Sequence, residues 1–167
     1  MRVLVSDTSV LVDLERGALL PQAFRVPDAF AVPDVLFESE LRNFGGSELL
    51  RLGLRVESLD GDGVALAQGF RRARPALTVA DSFALALARM NGWVLLTGDG
   101  VLRTLADAEN VECHGLLWLL DQIEAARIAS LEELGRALAI IRAHPKCRLP
   151  LAEVELRLRR YAVGRGG

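Results

Sequence analysis

Four acidic positions in this chain sit where an apolar run gives way to a helix or a turn. Asp7 follows the run 2–6 in MRVLVSDTS, and Glu38 and Glu40 follow the run 29–32 and Pro33 in AFAVPDVLFESEL. Asp81 opens the helical pattern of LTVADSFALALA, and Asp99 follows the run 93–96 in WVLLTGDG. In an α/β fold, the carboxyl ends of parallel strands face the crevice where ligands bind. Carboxylates gathered in one crevice repel one another unless a cation stands between them. Oxygen donors of this hardness suit Mg²⁺ or Mn²⁺. The chemistry such a set supports is hydrolysis of a phosphodiester by metal-activated water.

Each position also has a plainer explanation. Asp7 is a good N-cap for the helix that follows. Thr8 and Ser9 stand next to it to orient its carboxylate. Asp81 suits a cap or a first helical turn, where the helix dipole favours negative charge. Asp99 lies in Gly-Asp-Gly, ordinary turn chemistry. Its place directly behind a strand is what raises it, and Gly98 and Gly100 let backbone approach a phosphate or a metal. Glu38 and Glu40 compete for one role. At ~100° per residue, Leu36, Phe37, Leu41 and Phe44 define a core face; Glu40 falls at its margin and Glu38 points further out. The run Arg71, Arg72 and Arg74 near Asp81 reads either as a solvated face or as phosphate contacts. Arg157, Arg159 and Arg160 invite the same two readings. His114 and His144 lack partners at ligand spacing and read as structural or surface groups.

The elements that must position these residues alternate. Strands are expected at 2–6, 29–32, 54–59, 93–96 and 111–113, with helices between them, which implies a parallel sheet covered on both faces. The fold class is α/β, a three-layer α/β/α sandwich with a central, mainly parallel sheet and C-terminal helices. A core domain is expected over 1–128, a helical extension over 129–163 and a flexible tail at 164–167. Within the extension, Ser130 and Glu133 form a capping-box pattern. A length of 167 residues is about one domain and enough for a core without disulfides.

A net charge of −2 gives no global attraction to nucleic acid, although a local basic patch is compatible with it. Lys146 stands alone among the arginines, a bias that reads as base composition before function. Cys113 and Cys147 belong to no metal-spacing motif and are expected as free thiols. No signal peptide pattern opens the chain, and no apolar run reaches the ~18 residues of a membrane span, so the expectation is a cytoplasmic protein. A phosphoacceptor regulatory domain would need a lysine after a late strand, and Lys146 falls in the helical tail. A haloacid-type phosphatase would need Asp-x-Asp after the first strand, and position 9 is Ser.

Taken together, these motifs resemble the PIN-domain ribonucleases, the family that includes VapC-type toxins. VLVSDTSVLVDLERG resembles the first motif of that family, FAVPDVLFESEL the second, and LTVADSFALALARMNGWVLLTGDGVLRTLA the third and fourth. VECHGLLWLLD resembles the segment that closes the core. The resemblance implies Asp7, Asp81, Asp99 and one of Glu40 and Glu38 as catalytic, metal-binding acids around Mg²⁺ or Mn²⁺, with Ser9 and Thr97 as supporting hydroxyls. The family commonly places its Glu six residues after the proline, where this chain has Ser39. The implied activity is that of a metal-dependent endoribonuclease acting on single-stranded RNA, in the setting of a toxin–antitoxin pair. Its implied partners are an antitoxin protein and a second copy in a homodimer, with no membrane. The alternative is a PIN-like scaffold that binds RNA or protein and has lost catalysis.

Overall fold

The apolar runs become strands that are buried because helices cover both of their faces. The computed structural model describes residues 1–164. The tail expected at 164–167 therefore lies, beyond Gly164, outside the described residues. The chain runs β1 (Val3–Ser6), α1 (Thr8–Arg16), α2 (Leu20–Ala23), β2 (Ala29–Pro33) and α3 (Asp34–Leu36), then a π-helical turn (Phe37–Leu41). It continues through α4 (Gly46–Leu52), β3 (Arg55–Glu57), α5 (Gly61–Ala73), α6 (Val79–Asn91), β4 (Val94–Leu96) and α7 (Gly100–Ala108). It closes with β5 (Cys113–His114), α8 (Leu116–Ala125), α9 (Leu131–Ala143) and α10 (Leu151–Val163).

The five strands are all parallel, in the order β3-β2-β1-β4-β5. The chain winds outward from β1 to β3, then returns to the other side of β1 for β4 and β5. That reversal makes the gap between β1 and β4 a topological switch point, where such sheets bind their ligands. Side chains alternate across the sheet. Leu4, Val94 and Leu96 face a core shared with α1, α8 and α9. Val5 and Leu95 face a second core built from α5, α6 and α7. The result is the expected three-layer α/β/α arrangement.

Several boundaries move for local reasons. The Gly-rich segment after Asp60 forms the first turn of α5, because the Asp60 carboxylate accepts the Gly63 N–H at 2.8 Å. Strand β5 begins at Cys113 rather than 111, since Val111 is buried in the second core and the pairing with β4 is Leu95 with Cys113. Strand β3 is shorter than 54–59 because it is an edge strand with one neighbour. Phe44, assigned above to a core face, is 75 % exposed. The helix ends at Leu41 and Phe44 lies in the turn before α4, where a helical projection no longer applies.

The helices beyond residue 128 bury Leu134, Leu138, Ile141, Val154 and Tyr161 in the same core as α1 and α8. The Ser130–Glu133 capping box forms as expected. Arg157 pairs with Asp121 and Glu153, and Arg160 with Asp121 and Glu124, so these two arginines fasten α10 to α8. The phosphate-contact reading of those two is thereby replaced. Gly17 sets how near α9 can lie: a Cβ there would stand 2.8 Å from Ile141 Cδ1 and 3.2 Å from Ala137 Cβ. Gly17→Val should therefore destabilise the protein by about 1–3 kcal/mol through overpacking, read as a lower urea midpoint at unchanged slope.

Candidate active site

Asp7 stands at the carboxyl end of the central strand and is only 4 % exposed. Its backbone N–H donates to Leu96 O at 2.9 Å, tying the end of β1 to the end of β4. As N-cap of α1, its Oδ1 accepts from Val10 N at 3.0 Å and from Ser9 Oγ at 2.9 Å. Its Oδ2 accepts from Thr97 Oγ1 at 2.5 Å. The Thr97 hydroxyl also accepts the Asp99 N–H at 3.0 Å, and with one proton to give it gives that proton to Asp7. Capping and site are thus one geometry at Asp7. Burial pushes its carboxyl up, and hydrogen bonds from Thr97, Val10, Ser9 and Gly98 oppose that.

The other acids come from separate elements. Asp99 follows β4 and caps α7, accepting from Leu102 N at 2.9 Å. Asp81 does not cap α6. Thr78 does, accepting the Asp81 N–H at 3.0 Å, and Asp81 is left at the third helical position with its carboxylate in the cleft. Burial is the chief cause that lifts Asp81 to about 6. A hydrogen bond with Thr78 opposes the shift, while the charges of Asp7, Asp99 and Glu40 add to it. These acids therefore sense one another.

Glu40 and Glu38 separate clearly. Glu40 lines the cleft and accepts from the Thr8 hydroxyl. Glu38 is exposed and paired with Arg42. The π turn explains the offset. A wide turn accommodates an extra residue in the helix, so a glutamate one place beyond Ser39 still projects inward. Ser39 itself bonds back to Val35 O at 2.7 Å. Thr8, expected to orient Asp7, holds Glu40 instead; Ser9 and Thr97 orient Asp7.

Asp7, Glu40, Asp81 and Asp99 all line one cleft of about 700 Å³. Arg71, Arg72 and Arg74 do not line it, and Arg71 Nε donates to Leu77 O at 3.3 Å. Among the described residues the cations lining the cleft are Arg16, Lys146 and Arg148. Asp13 also lines it, 3.1 Å from Arg16, with a carboxyl raised by burial against the opposing charge of Arg16. The helical spacing of Ser9, Asp13 and Arg16 was the available signal for this stripe. Lys146, Cys147, Arg148 and Leu149 come from the loop between α9 and α10, which forms one wall of the cleft. No local pattern in the sequence marks that loop.

The donor chemistry fits a hard divalent cation. Among the described residues no three His, Cys, Asp or Glu side chains form a group ready to hold a metal ion. Mg²⁺ itself keeps several waters and is commonly held through one or two carboxylates, so the facing acids suit it in kind.

A family model described as a PIN domain matches residues 3–162. The chain belongs to the PIN-domain family. The match runs through α10, so both C-terminal helices lie within it. A solved PilT N-terminus domain protein from the hyperthermophilic archaeon Sulfolobus solfataricus P2 has a similar fold. The TM-score is 0.50 at 13 % identity, covering 72 % of this chain and 92 % of that one. No curated protein matches the chain. PIN domains are generally nucleases that act on nucleic acid and usually use divalent metal ions. Among the described residues of this PIN domain no helix is long and apolar enough to cross a membrane.

The raised carboxyl of Asp81 makes a stability prediction for the metal-free protein. A carboxyl raised in the folded state costs stability where it must ionise, above about 6, and costs nothing below its ordinary 3.8. Asp81→Asn should raise the melting temperature at pH 8 by a gain on the order of 1 kcal/mol, discounted for partial exposure. The gain should shrink as pH falls and vanish below about pH 4. Thermal melts in EDTA at the two pH values check it.

Proposed function

We propose that this PIN domain is a metal-dependent endoribonuclease that hydrolyses single-stranded RNA. The observation that supports this most is the convergence of Asp7, Glu40, Asp81 and Asp99, from four separate elements, on one cleft at the switch point of the sheet. A cation of the Mg²⁺ or Mn²⁺ kind bound there supplies a water of lowered pKa and neutralises phosphate oxygens. Asp7 is the ligand whose direction is set by the fold, since Thr97, Ser9 and the Val10 N–H leave it little freedom. Glu40, Asp81 and Asp99 complete the acidic face. Arg16, Lys146 and Arg148 offset the acids and meet the phosphates of the strand. Through the family resemblance, the same reading includes a toxin role, an antitoxin partner and a homodimer.

A second reading, a binding scaffold without catalysis, is favoured by one observation. Among the described residues no three-ligand group is preformed, with Glu40 held by Thr8. Metal titration separates the two.

Purified protein should cleave single-stranded RNA with Mg²⁺ or Mn²⁺ and stop in EDTA. Asp7→Asn and Glu40→Gln should each lower kcat by about 100-fold or more, as loss of metal-held charge implies. Glu38→Gln should stay within about twofold, since an exposed charge away from the site contributes little. Activity of Asp7→Asn equal to that of the wild type would sink the proposal. A site with no calorimetric Mn²⁺ binding would favour the scaffold.

A further inference from the structure

A second cavity, of about 430 Å³, opens beside the carboxylate cleft and shares Ser9, Asp13, Gly98, Arg148 and Leu149 with it. The proposed function has no use for it. Its volume lies in the lower part of the ~300–1,000 Å³ range of small-molecule sites. The walls are of two kinds. Leu116, Leu117, Leu149 and Pro150 supply an apolar surface, with the two α8 leucines buried. Arg103, Arg148, Asp13 and Glu153 supply donors and acceptors around it. Arg103 is fixed by its bond to Thr97 O at 3.1 Å, the carbonyl of the residue that orients Asp7. Arg148 belongs to both cavities and, among the described residues, enters no ion pair.

A flat, apolar-faced group with hydrogen-bonding edges matches these walls. A sugar or a lone phosphate would leave the leucines and the proline facing polar atoms. A long peptide would leave the carboxylates and guanidinium groups unused along much of its length. An unpaired nucleobase uses both kinds of wall: its faces lie against the apolar side, and its edge meets Arg and carboxylate groups, as in recognition of splayed single strands.

We propose that this cavity receives one unstacked nucleobase of a single-stranded RNA whose backbone crosses the carboxylate cleft. The inference rests on the nuclease reading for the path of the backbone. The shared wall at Ser9, Gly98 and Arg148 places the base within a nucleotide or so of the phosphate at the acids. A base held in a helix cannot enter, so the cavity selects single strands. It also makes cleavage depend on the nucleotide at one position.

The test is an abasic scan. A short single-stranded RNA carries one abasic ribonucleotide, moved through every position near the cleavage point. Binding is measured by fluorescence anisotropy in EDTA, and cleavage separately in Mg²⁺. One position should lose about tenfold in affinity when its base is removed, the scale of burying one side of a base against apolar carbon. Leu149→Trp, which fills the cavity, should abolish the sensitivity of that position alone. Arg148→Ala, at an exposed residue, should reduce it without the risk of misfolding.

RNA that is bound and cleaved with equal tolerance at every position would overturn the base pocket and leave the nuclease reading intact. Sensitivity that persists undiminished in both variants would overturn the assignment to this cavity. Sensitivity at one position with no cleavage in Mg²⁺ would uphold the pocket and overturn the nuclease. No RNA binding at all would overturn both.

Discussion

Asp7 holds a carboxylate almost out of water, and hydrogen-bond donors from both sides keep it in place. An isolated buried charge is expensive, and the usual remedies are hydrogen bonds, a partner charge or a metal. Here the fold supplies the first remedy from both sides of the switch point. Ser9 and Val10 reach from α1, while Thr97 reaches from the end of β4. The bond from Asp7 N to Leu96 O makes the two strand ends one unit. Because Thr97 also takes the Asp99 N–H, the positions of the first and last acids are linked through one hydroxyl. Other parts of the cleft are arranged around that core.

The remaining acids add to the same field by different routes. Asp81 is raised first by burial and then by the charges facing it. Glu40 reaches the cleft because a π turn interrupts the helix after β2. An uninterrupted α-helix would have turned another residue inward. Local irregularity of this kind is common where a side chain must be re-aimed at a site.

The C-terminal helices matter to the cleft through the loop between them. α9 lies close against α1 because Gly17 has no Cβ, and α10 is fastened to α8 by Arg157 and Arg160. With both helices fixed, residues 145–149 line the cleft together with the acids, and Arg148 and Leu149 also line the second cavity. Cationic groups and acids thus share one cleft, an arrangement suited to a polyanion that bridges the two.

Much was legible in the sequence. The buried runs, the alternation of strand and helix, and the places of Asp7, Asp81 and Asp99 follow from periodicity and capping chemistry, which are local. Ser9 was legible as a neighbour of Asp7, and Thr97 through the family resemblance. Local patterns did not reveal that Thr8 serves Glu40 or that Arg71, Arg72 and Arg74 lie off the cleft. They also gave no hint that Lys146 and Arg148 reach it. The sequence determined which residues could serve as strands, caps and acids, because those preferences act within a few residues. Only the tertiary structure decided which side chains face one another, because that depends on the strand order, on helical phase through the π turn, and on contacts between segments more than a hundred residues apart.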